Sequence, residues 1–343
     1  LPQGAREEEG RISLKYYVAV DVGATKTRIA LCTAENVLDK VVELTPREGN
    51  EYTVAEFIVS TVRTRWKSFL DQVESVGVGT IGPIDIRRGR VVYAPNLPLH
   101  TFHLLEPLVE ELRKPVYVAN DAVVAVWGEK HYGLARNHDN VVYVTMSTGI
   151  GVGVIVDGHL LIGKAGNAHE AGHIVVDYSS DLPCGCGGRG HWEAYAGGAN
   201  IPRLARYVYE KTRVKSRLGE LLERGEDVTA KTVFDHYRAG DKLAELVVET
   251  IVKATAAGLA SVINVYDPEL VILGGSVFLN NVDVLYEPVV KLVKNNIVTE
   301  APEFKPTSLG DDVGLYGALA VAVYTPETLK RIQYPLIMEI LSK

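Results

Sequence analysis

The chain is poor in the features that secreted, membrane-spanning and nucleic-acid-binding proteins depend on. Only three of its 343 residues are cysteine, two of them in one tight loop, which rules out a disulfide framework. No apolar run approaches the length of a membrane span, and the first fifteen residues lack the apolar core of a signal peptide. A net charge of −7 argues against the basic face that nucleic acids and anionic membranes require. We therefore expect a cytoplasmic protein with no nucleic-acid or membrane partner.

The length and composition leave room for two domains with sizeable cores. Apolar residues make up 47% of the chain and charged residues 23%, as in globular proteins. From Tyr16 onward, short strands rich in Val, Ile and Leu alternate with helical patterns, which predicts an α/β fold. We expect a disordered tail at residues 1–15, a small α/β domain at 16–118 and a larger α/β domain at 119–343. The larger domain would contain a helical insert and the zinc loop considered below, and its closing helices would cross back to the small domain.

The spacing of apolar residues gives helix predictions that a structure can test. One helix of about twenty residues is predicted at Glu51–Leu70. In the insert, a long helix is predicted at Lys242–Val265, and the stretch Lys211–Asp227 is described only as charged.

Three glycine-containing turns each lie at the end of a predicted buried strand. The first, Asp21–Thr27, offers backbone N–H groups and a hydroxyl to a phosphate, with Lys26 as a counter-charge. It lacks the spacing of a Walker loop or of a Rossmann fingerprint, and a plain hairpin turn is the alternative. The second turn is Ser147–Gly151, and the third contains Gly274 and Gly275. Together the three turns predict a nucleotide bound in a cleft between two halves of the chain.

The stretch from Gly166 to Glu193 concentrates residues that bind metals or transfer protons. Two thiolates and two imidazoles in a compact run are the ligand set of a closed tetrahedral zinc site. The candidate ligands are His173, Cys184, Cys186 and His191. Zinc with four protein ligands has no open position, so this metal would be structural and would hold the neighbouring Glu170 and Glu193 in place. The alternative is a glycine-rich turn that carries two inert thiols.

Asn120 and Asp121 stand where a predicted strand meets a helix. One interpretation is helix capping, which both residue types perform well. The other is a carboxylate at the edge of the cleft that accepts a proton from an alcohol during phosphoryl transfer. Two further pairs have the chemistry to hydrogen-bond vicinal hydroxyls, with a solvated charge cluster as the alternative for each. These pairs are Glu170 with His173 and Glu193 with Asn96.

Taken together, the motifs resemble those of the ROK family, within the superfamily of actin-like ATPases and sugar kinases. The resemblance runs from about Tyr16 to Tyr324. The motifs that carry it are DVGATKT, GTIGPID, APNLP, NDA, STGIGVGVIVDG, EAGH, CGCGGRGHWE, LGGSV and LGDDVGLYGA. It implies a two-domain actin/hexokinase-like (ribonuclease H-like) α/β fold with a ligand cleft between the domains, and a homodimer.

The resemblance also implies an activity, the ATP-dependent phosphorylation of the 6-hydroxyl of a hexose, glucose above all. Asp121 would be the general base, and Mg²⁺ would balance charge on the phosphates of ATP. The sugar would be bound by Gly82, Asn96, Asn120, Asp121, Glu170, His173 and Glu193. The nucleotide would be bound by Asp21, Gly23, Thr25, Lys26, Thr27, Thr148, Gly149, Gly274 and Gly275. His173 would serve both the zinc and the sugar.

The sequence departs from the family pattern mainly around the sugar. A third cysteine of the zinc loop is replaced by His191, and the usual glycine before Glu170 is replaced by His169. An asparagine common two positions after Asp121 is replaced by Val123, and an aromatic residue after APNLP by Leu99 and His100. The identity of the sugar therefore stays open.

Two alternatives follow from these departures and from the family's range. One is a kinase for another sugar, such as fructose, mannose or N-acetylmannosamine, because loop shape selects the acceptor. The other is a sugar-sensing regulator. A regulator would need a helix-turn-helix module ahead of the first strand, and only fifteen residues precede Tyr16, so the kinase is the preferred hypothesis.

Overall fold

The first half of the chain is built on a five-stranded mixed sheet. The computed structural model describes residues 15–94 and 97–343, so positions 1–14 of the expected tail lie outside the described residues. The sheet has the order β3-β2-β1-β4-β8. Its strands are β1 (Tyr16–Val22), β2 (Lys26–Cys32), β3 (Val37–Leu44), β4 (Val73–Thr80) and β8 (Val116–Asn120). Strands β1 to β3 are antiparallel and joined by short turns, whereas β4 and β8 run parallel to β1. A small antiparallel sheet beside it contains β5 (Ile84–Asp85), β6 (Arg90–Val91) and β7 (Phe102–His103).

The second half repeats this plan with another five-stranded sheet of order β11-β10-β9-β12-β13. Its strands are β9 (Val141–Met146), β10 (Ile150–Val156), β11 (His159–Leu160), β12 (Leu270–Gly274) and β13 (Glu303–Pro306). Again an antiparallel hairpin, β9–β10, is followed by strands parallel to β9. In each sheet, the central strands are almost continuously buried, as expected for strands covered on both faces.

The described residues form twelve α-helices. In the first half these are α1 (Thr53–Arg65), α2 (Leu105–Leu112) and α3 (Asp121–His131). The insert contains α4 (Trp192–Ala196), α5 (Ile201–Thr212), α6 (Arg217–Glu223), α7 (Ala230–Arg238) and α8 (Lys242–Tyr266). The last part of the chain contains α9 (Ser276–Leu279), α10 (Val282–Lys294), α11 (Val313–Val323) and α12 (Glu327–Leu341).

One helix prediction is wrong in detail. The predicted helix Glu51–Leu70 ends at Arg65 and is followed by a separate 3₁₀ helix, Lys67–Gln72. Trp66 leaves the helical conformation because its buried indole N–H donates to Asp39 of β3 at 2.9 Å, a tertiary contact that local spacing does not encode. The stretch described only as charged contains α6. This helix is capped by the Ser216 side chain, which accepts from the Gly219 N–H at 3.0 Å.

The expectation that no apolar run approaches membrane-span length is wrong for α8. This helix is long and apolar enough, by length and composition alone, to cross a membrane. However, 67% of its apolar window is buried inside the fold, as in a core helix. Small residues along α8 permit that burial, since a Cβ added at Gly258 would collide with the ring of Trp192.

The closing helices α11 and α12 pack on the first sheet, although they follow the second sheet in the chain. On α11, the carbonyl oxygen of Ala322 accepts a hydrogen bond from the Ser75 hydroxyl of β4 at 2.8 Å. On α12, the fully buried Gln333 accepts from the Val118 N–H at 3.0 Å and donates to the Val118 carbonyl at 2.8 Å. Both closing helices are therefore hydrogen-bonded to the first sheet, and their expected crossing from one domain to the other stays a prediction. The domain boundary near residue 118 stays a prediction.

Candidate active site

The candidate base lies where three parallel strands of the first sheet end side by side. Residue pairing sets Val22 of β1 beside Thr80 of β4, and Thr80 beside Asn120 of β8. Asn120 caps α3, because its side-chain oxygen accepts from the Ala122 N–H at 2.8 Å, so the capping interpretation is confirmed for this residue. Asp121 is the first residue of the helix and is only partly buried. Its carboxylate therefore stands at the positive end of α3 with one face accessible.

The protonation of Asp121 is poised near neutrality. Burial, followed by the negative charges of Asp21 and Glu170, raises the pKa of Asp121 to about 7, while the hydrogen bond from the Ala122 N–H opposes the rise. A carboxylate with such a pKa can both take and release a proton near neutral pH, as a general base must.

Three of the predicted sugar-binding residues converge next to this carboxylate. A Cβ added at Gly82 would lie 3.1 Å from Nδ2 of Asn120 and 3.7 Å from Oε1 of Glu170. Glu170 itself lies between two imidazoles, with Oε1 at 3.6 Å from Nδ1 of His169 and Oε2 at 3.5 Å from Nε2 of His173. Gly82, Asn120 and Glu170 therefore lie next to one another. Asn96, the remaining partner predicted on this side, lies outside the described residues.

Glu193 lies under the second glycine turn. Its Oε2 accepts from the Ile150 N–H at 2.9 Å, and a Cβ added at Gly149 would collide with its carboxylate. Burial and then the charge of Glu193 raise the pKa of Glu170, whereas His173 lowers it. The two glutamates are therefore close enough to interact, and Glu193 connects the sugar side of the site to the turn predicted to bind phosphate.

The first glycine turn is the tight turn of the β1–β2 hairpin, and it contains both exposed and buried residues. The Gly23 N–H donates to the Lys26 carbonyl at 3.0 Å, and Thr25 and Lys26 are exposed at the tip. By contrast, Thr27 is fully buried, and its hydroxyl is 2.9 Å from that of Thr45. The Thr27 hydroxyl therefore supports the turn from below, while backbone groups and the exposed Thr25 and Lys26 side chains face solvent.

The second and third glycine turns lie next to each other because β9 and β12 are neighbours, with Gly274 paired to Thr145. Gly275 has a positive φ of 87°, and a Cβ there would lie 2.6 Å from the Met146 backbone nitrogen. Thr148 is exposed in the second turn. The bare backbone of Gly275 thus packs directly against Met146, at the end of the strand that leads into the second turn.

The second sheet also touches the helix that carries the base. A Cβ added at Gly151 of β10 would lie 3.1 Å from the Cβ of Ala122, and one at Gly153 would collide with the Ala122 carbonyl oxygen. The start of α3 therefore packs directly on the glycine-rich strand, and this contact fixes Asp121 relative to the second and third turns.

The four predicted metal ligands come together. One ligand atom from each of His173, Cys184, Cys186 and His191 lies within 4.8 Å of the others. The closer pairs are Cys186 Sγ and His191 Nδ1 at 3.2 Å, and Cys184 Sγ and His173 Nδ1 at 3.8 Å. Zinc bonded to sulfur at about 2.3 Å and nitrogen at about 2.0 Å sets neighbouring ligand atoms roughly 3.3–3.8 Å apart. The donor types, and the spacing of these two closer pairs, therefore fit a tetrahedral zinc ion.

The metal cluster adjoins both glutamates of the site. His173 turns Nδ1 toward Cys184 and Nε2 toward Glu170, so one ring spans the cluster and the carboxylate. His191 immediately precedes α4, and Glu193 is in the first turn of that helix. A metal ion that fixed His173 and His191 would therefore also fix the positions of Glu170 and Glu193.

The sequence interpretation missed Arg28 and assigned no role to His169. Arg28 of β2 donates to Asp21 at 3.0 Å, and the signal that could have drawn attention to it is a basic residue in the strand that leaves the first glycine turn. His169 is 4% exposed and contacts Glu170, and it was noted only as a departure from the family.

Comparison with known proteins gives a match along most of the chain. A model described as the ROK family matches residues 17–324. The glucokinase of Pyrobaculum calidifontis is 41% identical over 319 residues, covering 93% of this chain and 99% of that protein. The crystal structure of the ROK hexokinase from Thermus thermophilus is similar with a TM-score of 0.77 and 33% identity, covering 90% of this chain and 98% of that one. The crystal structure of a ROK family glucokinase from Streptomyces griseus, in complex with glucose and AMPPNP, is similar with a TM-score of 0.70 and 29% identity. This match covers 89% of this chain and 98% of that one.

Proposed function

The chain belongs to the ROK family, and we propose that it is a glucokinase that transfers the γ-phosphoryl group of ATP to the 6-hydroxyl of glucose. The expected α/β fold of the actin/hexokinase type is confirmed by the structural matches. The observation that carries the proposal is the position of Asp121. Its carboxylate, with a pKa raised to about 7, follows Asn120 and is influenced by the charge of Glu170. The start of α3, which carries it, packs on β10, the strand that follows the second glycine turn.

In the proposed reaction, Asp121 accepts the proton of the sugar hydroxyl while that oxygen forms a bond to the γ-phosphorus. The bond from the γ-phosphorus to ADP breaks at the same time. Glu170, Asn120, His173 and Glu193 would hold the other sugar hydroxyls. Mg²⁺ that arrives with ATP would neutralise phosphate charge.

The predicted nucleotide contacts divide between the two sheets. Phosphates would meet backbone N–H groups and side chains of the first two turns, and the adenosine would lie on the third. The phosphate-side residues are Gly23, Thr25, Lys26, Thr148 and Gly149, and the adenosine-side residues are Gly274 and Gly275. Asp21 and Thr27, which are buried on either side of the first turn, would support it from beneath. Because these contacts come from both halves, the reacting groups can meet only when the halves hold ATP and sugar together.

A coupled assay over glucose, mannose, fructose, glucosamine and the N-acetylhexosamines tests the substrate. We expect the highest kcat/KM with glucose. Higher values with fructose or N-acetylmannosamine would replace glucose as the substrate and keep the kinase. Binding of a sugar without ATP-dependent product would favour the sugar-sensing regulator.

The pH dependence of the reaction follows from the raised pKa of Asp121. Only the ionised carboxylate accepts a proton, and this form is lost as the pH falls through about 7. We therefore expect kcat/KM to fall about tenfold for each pH unit below that value and to level off above it. Initial rates measured on both sides of neutrality give the profile. An acid limb near the ordinary value for aspartate would contradict this assignment.

We also propose that the cluster of His173, Cys184, Cys186 and His191 binds a structural zinc ion. Protein purified without chelator is expected to contain about one zinc per chain by elemental analysis. His191→Cys should keep the metal and His191→Ala should lose it, together with a rise in the KM for glucose as Glu193 loses its support. His159→Ala, at an exposed histidine on β11, is the matched control. A wild-type zinc content far below one would count against the site.

The cellular location and the oligomeric state of the protein stay predictions. We propose a cytoplasmic homodimer, which is supported by the family resemblance and by free thiols at Cys184 and Cys186.

A further inference from the structure

A line of alternating charges runs from the candidate active site to the start of the closing helix. Arg28 on β2 donates to the carboxylate of Asp21 at 3.0 Å, and its Nε lies 3.9 Å from Asp312. Asp312 in turn accepts from Nζ of Lys40 on β3 at 2.7 and 2.9 Å. The side chains of Asp21 and Arg28 are only 11% and 24% exposed, so this end of the line is poorly screened by water.

The line joins segments that are far apart in the sequence. Asp21 is the second-last residue of β1, next to the first glycine turn. Asp312 immediately precedes α11. The first turn of α11 covers Asp21 from the other side, since a Cβ added at Gly314 would lie 2.8 Å from its carboxylate carbon. Asp21 is thus enclosed by β2 and by the helix that crosses back from the second half of the chain.

Asp21 and Asp121 lie at the same end of the first sheet, because Asp21 pairs with Gly79 of β4 and Gly79 pairs with Ala119 of β8, two residues before Asp121. Burial raises the pKa of Asp21, Arg28 lowers it and Asp312 raises it. Besides burial, the negative charges of Asp21 and Glu170 raise the pKa of Asp121, and the charges of both aspartates raise the pKa of Tyr143 on β9. Because two neighbouring carboxylates resist being ionised together, a cation beside one of them favours the doubly ionised state.

We propose that Arg28 is a positioning residue of the phosphoryl-transfer site, which holds the Asp21 carboxylate in place and supplies the positive charge that lets Asp21 and Asp121 be ionised together. This role rests on the proposed function, in which Asp121 must be ionised to accept a proton. Asp312 then limits the effect of Arg28, because it draws the same guanidinium away from Asp21.

Arg28 and Asp312 carry charges of opposite sign, so removing them should not shift the acid limb of kcat/KM in the same direction. In Arg28→Gln, removal of the cation raises both ionisations of the pair, so the acid limb of kcat/KM should move up by about one pH unit. In Asp312→Asn, removal of a negative charge should leave the limb unchanged or move it down. Arg28→Lys keeps the charge and should restore a profile close to that of the wild type. At high pH, where the pair is ionised in every variant, Arg28→Gln should regain most of its activity.

A purely structural role for Arg28 would give a different result. Loss of activity by the same factor at every pH, together with a lower melting temperature, would overturn the proposal, and so would an unmoved acid limb in Arg28→Gln. A second measurement separates this proposal from the proposed function. Titration of ¹³C-labelled aspartate carboxyl groups by NMR, in the wild type and Arg28→Gln, reports the ionisation of Asp21 and Asp121 without any turnover. A wild-type protein without kinase activity would refute the glucokinase, and the NMR shift would still decide the role of Arg28.

Discussion

Replacing Asp121 with asparagine is expected to lower kcat for glucose phosphorylation by about 10³- to 10⁴-fold, the upper part of the range that a general base contributes. The amide has nearly the shape of the carboxylate, and its oxygen can still accept from the Ala122 N–H that now donates to Asp121 at 2.8 Å. The start of α3 should therefore keep its geometry. What the variant loses is the capacity to take a proton from the sugar hydroxyl.

Binding distinguishes this loss from a general disturbance of the site. Glucose affinity, measured by calorimetry, should change only a few-fold in Asp121→Asn, since Asn120, Glu170, His173 and Glu193 stay in place. Asp235→Asn serves as the matched control because Asp235 is a surface residue of α7, paired with Lys231. Near-normal turnover in Asp121→Asn would remove this carboxylate from the mechanism. A loss of sugar binding as large as the loss of kcat would make Asp121 a binding residue instead.

Several parts of the site could be predicted because they are local in the sequence. The cap of α3 needs only Asn120 and the residues that follow it, and the metal cluster draws three of its four ligands from the eight residues Cys184–His191. The Gly23 N–H closes the first glycine turn on the Lys26 carbonyl, three residues further along the chain. For these features, the neighbouring residues in the chain are also the neighbours in space.

Other parts depend on contacts between distant segments, and no local pattern encodes them. The raised pKa of Asp121 arises from burial and from Asp21 and Glu170, which lie 100 and 49 positions away in the chain. The partnership of Arg28 with Asp312 exists only because α11 returns to the first sheet. The end of α1 at Arg65 likewise depends on a hydrogen bond from Trp66 to Asp39. Each of these features is decided by packing.

The crossing of α3 and α11 is the contact on which this packing depends most. A Cβ added at Gly128 of α3 would lie 2.7 Å from the backbone nitrogen of Gly317 on α11, and a Cβ at Gly317 would lie 2.9 Å from the Ala125 nitrogen and closer still to the Val124 carbonyl. Backbone therefore touches backbone at this point, which leaves no flexible side chain able to move aside. Any substitution must push the two helices apart.

Gly317→Ala is expected to destabilise the protein by about 1–3 kcal/mol, the usual cost of overpacking, and Gly317→Val by more. Because Asp121 is at the start of α3, a displacement of that helix by ~1 Å should also reduce kcat by about 10²-fold in the variant that still folds. Melting temperature and kcat are measured together. Lys231→Ala is the control, since Lys231 is an exposed residue on the surface of α7. Wild-type stability and turnover in Gly317→Ala would contradict the close crossing.

A double-mutant cycle sharpens the argument, since Gly128 and Gly317 face each other across the same contact. Once Gly128→Ala has separated the helices, the space needed by Gly317→Ala is already partly open, so the second substitution should cost less free energy of unfolding than the first. Substitutions at independent sites add to within about 0.3–0.5 kcal/mol. A double variant clearly more stable than that sum is therefore expected. Simple additivity would mean that the two glycines do not share one crossing, and that α11 holds the catalytic helix by some other contact.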